Sequence, residues 1–154
     1  MKTTDINVIY NGQQYVGFDF AILPLGAALA VACQQIDLSA DTARRALVSD
    51  ALRAQEHQTA AEEAKAFAQA DYVGEAPPSV RAWMVAADLD AQAATDSILV
   101  KAQVWQTAMY AIRAARLKGK QDVLKSTTHA AIEVIADQAV AAILASIEGV
   151  DGPV

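Results

Sequence analysis

The sequence predicts a mainly α protein, a helical bundle of long helices with a short N-terminal β-hairpin. Three observations carry this. Ile98, Ala102, Trp105, Met109 and Ile112 recur at the 3–4 spacing of a buried stripe within Asp90–Lys120. Ala40–Ala70 holds neither Gly nor Pro. Asn11-Gly12 separates two runs rich in β-branched and aromatic residues.

Those runs, Ile6–Tyr10 and Gln14–Phe20, are the only expected β structure. Both turn positions must take φ > 0, which Asn and Gly tolerate. A lone hairpin is marginal in water, so it needs a covering surface. Ile6, Val8 and Tyr10, with Tyr15, Phe18 and Phe20, give one apolar face. That face can lie on the chain's own helices, or the strands can pair with another chain. Asn11 and Gly12 at the tip and the unpaired edges are candidate contacts, since Asp5 and Asp19 are the only charges that blunt them.

Pro24 and Gly26 turn the chain into a short buried helix, Leu25–Gln35. Ile36–Ser39 is expected to end it, with Ser39 as the N-cap of the next. In that long helix Leu47, Ala54, Ala61 and Ala68 repeat every seven residues, with Asp50, His57 and Ala64 between them. Small residues on such a seam predict close helix contact rather than a zipper. Tyr72-Val73-Gly74-Glu75-Ala76-Pro77-Pro78 cannot continue a helix. The expected division is therefore residues 1–73, hairpin plus long helix, and 74–154, a C-terminal helical segment.

Ser79 should cap a short helix over Val80–Ala87. Asp90 should cap the central one, which Gly119 should stop. The last helix follows Thr127-Thr128 to about Ile147, with Ile132, Ile135, Ala139, Ile143 and Ile147 as its stripe. Gly149 is its expected C′ residue, and Asp151–Val154 a loose tail.

The composition bounds the core. The chain has 154 residues and is 54% hydrophobic, but 35 of the residues are alanine, which buries little area. A thin core completed by other copies is the expectation. Net charge −6 gives no basic footprint, so nucleic acid is not an expected partner. Cys33, the single cysteine, leaves no intrachain disulfide and reads as a buried structural thiol. The longest greasy stretch, Phe18–Cys33, is interrupted by Asp19, Pro24 and Gly26 and is short of a membrane span. Asp5, Asn7 and Asn11 occupy the place of a signal peptide's apolar core. The expected setting is the cytoplasm, or a particle assembled there.

No phosphate-binding glycine loop, Gly-x-Ser-x-Gly or His-Glu-x-x-His is present. His57 and His129 are far apart in the sequence, and Glu56-His57 lacks a second ligand at helical spacing. No catalytic residue, cofactor or metal is therefore expected. Arg113, Arg116, Lys118, Lys120 and Lys125 form a basic knuckle against Asp122. It either complements the helix dipole or docks an acidic partner. Trp83 and Trp105 are expected as core anchors, or else as interface hot spots.

One pattern goes beyond periodicity. Pro77-Pro78-Ser79-Val80, Trp83, Ala93-Ala94, Ile98, Ala102, Trp105, Ile112-Arg113, Arg116-Leu117 and Gly119-Lys120 precede an Ala/Val-rich last helix. Over about residues 76–145 this resembles small Ala-rich tail-associated proteins of long-tailed bacteriophages. Leu89-Asp90 departs from that pattern, and the hairpin and Ala40–Ala70 lie outside it. The resemblance implies a non-enzymatic structural or adaptor component of the virion tail, associated with fibre or baseplate. It would form a homo-oligomer, contact other tail proteins and be assembled in the host cytoplasm. A tail assembly chaperone absent from the mature particle is the alternative.

Overall fold

The structure is a computed structural model that describes residues 1–48 and 50–150. It is mainly α, with a two-stranded antiparallel hairpin and, among the described residues, five α-helices. No helix among these residues is long and apolar enough to cross a membrane. Two compact units are built from the chain: residues 1–44 with 109–148, and residues 45–108 with 149–150. The Tyr72–Pro78 break, the expected division between segments 1–73 and 74–154, is a turn inside the second unit.

In the first unit, strands β1 (Ile6–Tyr10) and β2 (Gln13–Phe18) pair from Tyr10↔Gln13 to Ile6↔Phe18. Asn11 and Gly12 both take positive φ, 49° and 79°, as a tight hairpin turn demands. The register shifts between Ile6 and Asn7. Gly17 (φ 73°) is the extra residue, and its N–H donates to Asn7 Oδ1 at 3.0 Å. After a 3-10 turn at Phe20–Ile22, helix α1 runs unbroken from Leu25 to Leu47. The break expected at Ile36–Ser39 is absent, and Ser39 lies mid-helix. Ala28, Ala32, Ile36, Ala40 and Ala43 are buried along one stripe that passes Ser39. Continuing that stripe outweighs the roughly 1 kcal/mol a serine cap contributes.

Helix α4 (Ala91–Leu124) contributes to both units, and α5 (His129–Ala145) to the first. Gly119 does not stop α4. It is buried within the helix, where a Cβ would collide with the Ala139 methyl of α5 and lie 3.5 Å from Ile36 Cδ1 of α1. Close approach of three helices, not termination, is what requires glycine there. Thr128 caps α5 by accepting from Ala131 N at 3.2 Å. Ile132, Ala136, Ala139 and Ile143 face the core, while Ile135 and Ile147 are half-buried. Gly149 (φ 70°) lies in the turn beyond α5, and the expected tail, Asp151–Val154, lies outside the described residues.

In the second unit, Asp50 starts α2 (Ala51–Gln69) by accepting from Leu52 N at 2.9 Å. Helix α3 (Pro78–Ala87) begins one residue before Ser79. The Ser79 N–H is satisfied by Glu63 Oε2 of α2 at 2.8 Å, so a neighbouring helix performs the capping. Asp88 closes α3 in the left-handed region, and Asp90 caps α4 through Ala93 N at 2.7 Å. Ala64, Val80, Ala94 and Ile98 form the core, with Trp83, Met84, Leu89 and Leu99 packed on it.

Candidate functional site

In the second unit α2 and α4 leave a groove of about 640 Å³. Ala54, Ala61, Ile98, Ala102 and Trp105 supply its apolar surface, and Gln58, Glu62, Lys65 and Gln106 are among its polar lining. Ala54, His57 and Ala61 are the seven-residue seam and its interleaved position. That seam does make a helix–helix surface, but it does not close against α4. Trp105 is half-buried and lines the groove, so it is not the fully enclosed core anchor expected. Its Nε1 is enclosed without a hydrogen-bond partner. Trp83 is also half-buried. Its Nε1–H donates to Ser97 Oγ at 3.4 Å, and Lys101 Nζ stands 5.0 Å above its ring.

The hairpin residues are brought together in the first unit. Ile6 and Tyr15 are buried, and Val8, Tyr10 and Phe18 are half-buried. Tyr15 and Phe18 meet edge-on, with ring centroids 5.4 Å apart. The Tyr10 hydroxyl occupies the space a Cβ on Gly26 would need, which seats the hairpin on the start of α1. Phe20 N donates to Thr3 O at 2.7 Å, fastening the segment before β1 to the turn after β2. The inner face therefore lies on the chain's own helix, which resolves one of the two alternatives. The outer face carries Ile9 and Val16, 68% and 70% exposed, beside the exposed tip Asn11-Gly12.

The basic knuckle is largely paired within the first unit. Asp37 of α1 accepts from Arg116 Nη1 at 3.0 Å and from Lys120. Burial pushes the Asp37 carboxyl up, but hydrogen bonds from Lys120 and Arg116 outweigh it and hold the group below the usual carboxylate range. Lys118 pairs with Asp122, and Lys125 Nζ lies 3.9 Å from it. The hydrogen bond from Lys118 is the main reason Asp122 also titrates low. Arg113 is exposed. Cys33 is half-buried rather than buried, and burial raises its thiol pKa. His129 Nε2 lies 2.9 Å from Leu23 O, and its ring meets Phe20 edge-on, a structural role.

The groove is what sequence reasoning missed. Its signal was the coincidence of alanines at seven-residue spacing on α2 with an indole on the facing stripe of α4. Compared with known proteins, the chain matches no family model, no curated protein and no solved structure.

Proposed function

We propose that this protein is a non-enzymatic structural or adaptor component of a bacteriophage tail, acting through protein–protein contacts. The resemblance over residues 76–145 supplies the setting. The observation that carries the contact role is the hairpin: its inner face is committed to α1, its outer face and tip are exposed, and among the described residues no third strand pairs with either edge. Open edges take up a further strand through main-chain hydrogen bonds, and side chains such as Ile9 and Val16 set which strand fits. The groove with Trp105 is a second contact surface, of the aromatic-anchored kind interfaces favour.

Mass spectrometry of purified particles tests the setting. A stoichiometric quantity of the chain supports the component, and presence only in infected lysate supports the assembly chaperone. Val16→Asp tests the surface. At so exposed a position it should leave the circular dichroism spectrum and melting unchanged, yet reduce incorporation into particles. Normal incorporation of a folded Val16→Asp chain would remove the hairpin from the proposal.

A further inference from the structure

The two edges of the hairpin are not alike. Asn11 and Gly12 make a two-residue turn, so the closing pair Tyr10↔Gln13 exchanges both its main-chain hydrogen bonds. Alternation then turns the main chain of Val8 toward Tyr15, while the N–H and C=O groups of Asn7 and Ile9 point away from β2. Gln14 and Val16 present the matching groups on the opposite edge. That β2 edge is blunted. Its extra residue, Gly17, bends the strand, and the Gly17 N–H is drawn back to Asn7 Oδ1. The β1 edge carries no such device. Ile6–Tyr10 has no charge, no proline and no extra residue of its own.

We propose that β1 pairs antiparallel with β1 of a second copy, about a two-fold axis at Val8. This register overlaps the strand over its whole length. Asn7 of each copy lies opposite Ile9 of the other, and the pair exchanges both main-chain hydrogen bonds. The outward groups are thus satisfied by their own duplicates. Val8, half-buried in each copy, meets Val8 at the centre, a β-branched pair of the kind that stabilises sheets. Charge favours the copy as occupant. An uncharged strand set against its duplicate opposes no like charges. Asp5, just before the strand, falls opposite Asn11 and pairs with Lys2 of its own chain. On the outer face, Ile9 of one copy comes diagonal to Ile9 of the other, so the exposed apolar side chains of two hairpins join on one sheet.

The resulting sheet has the order β2-β1-β1-β2. A two-fold contact of this kind is closed, and both of its outer edges are the blunted ones, so association stops at the dimer. A five-residue edge buries well under the ~1,000 Å² of a specific interface, which makes the dimer a weak one. The inference rests on the contact role proposed for the hairpin and names one partner for it. The outer face stays free for a different protein.

Sedimentation equilibrium of the full chain from about 10 µM to about 1 mM tests it, a range suited to a weak dimer. The wild type should pass from monomer to dimer and grow no further. Ile9→Pro removes an outward N–H and no bond to β2, so it should raise the dimer Kd about tenfold or more. Circular dichroism checks that it folds. If it does not, Ile9→Lys takes its place, a charge at the same exposed position that meets its own duplicate across the junction. Gln14→Lys puts the same charge on the exposed β2 edge and should dimerise like the wild type. Val16→Asp should dimerise as well, whatever it does to particle incorporation, so the dimer and the particle contact can fail separately. A wild type that stays monomeric to 1 mM overturns the proposal. So does a folded Ile9 variant that dimerises like the wild type, or a Gln14→Lys chain that loses the dimer.

Discussion

Gly119→Ala is expected to destabilise the protein, against the rule for helical glycines. Adding a methyl to an exposed glycine inside a helix gains about 1 kcal/mol from helix propensity alone. At Gly119 the methyl meets Ala139 Cβ well inside van der Waals contact, with Ile36 Cδ1 3.5 Å away. Overpacking costs about 1–3 kcal/mol. Both colliding methyls are fixed to backbones, so no rotamer change relieves them and the helices must part. The upper half of that range applies, which leaves a net loss of about 1–2 kcal/mol. In a chain of this size that lowers Tm by roughly 2–8 °C. Thermal and urea melts followed by circular dichroism measure it. Ala139→Gly alone should lose about 1 kcal/mol of propensity. The double variant moves the methyl into the vacated space and should melt close to wild type, a coupling that sites out of contact do not show. A Gly119→Ala protein that melts higher than wild type would refute the close approach of α4 and α5.

Two other perturbations follow from the same geometry. Asp37→Asn should cost about 1 kcal/mol near neutral pH, a figure kept low because the ion pair is about one-third exposed. The Asp37 carboxyl titrates below its unfolded value of about 3.9, so its contribution is present above that pH and lost as pH falls through the folded value. The Tm difference between variant and wild type should therefore shrink toward zero in acid; a constant offset would mean that Asn perturbs packing instead. Trp105→Ala should cost less than the ~3–5 kcal/mol of a core aromatic, because the ring is half-buried against an open groove; a core-sized loss in urea would place the indole in the packed interior.

What was legible in the sequence was local. Asn11-Gly12 dictated its turn through two positive φ angles, and Asp90 satisfied the first amides of its helix. What was not legible depended on residues distant in the chain. Ser39 carries a strong cap preference, but Ile36 and Ala40 on either side are buried by other segments, and that burial keeps α1 whole. Gly119 followed by Lys120 reads as a helix stop until Ala139 stands against it. Arg116 and Lys120 read as free surface charge until Asp37, about eighty residues earlier, accepts from both.

The same logic places the groove. Helices rich in alanine approach as closely as their largest facing residue allows. Where Gly119 faces Ala139, α4 and α5 close completely. Along α2, Ala64 reaches full burial in the second core, yet Ala54 and Ala61, earlier on the same helix, line open space. The difference lies in what faces them. Ala94 and Ile98 fill the region of Ala64, whereas Trp105 and Gln106 line the groove with Ala54 and Ala61. An indole and a glutamine are too bulky to interdigitate between small residues, so the helices stand apart and the groove stays open. Small-residue spacing predicts that two helices meet; the size of the opposing side chain decides whether they seal or leave a site.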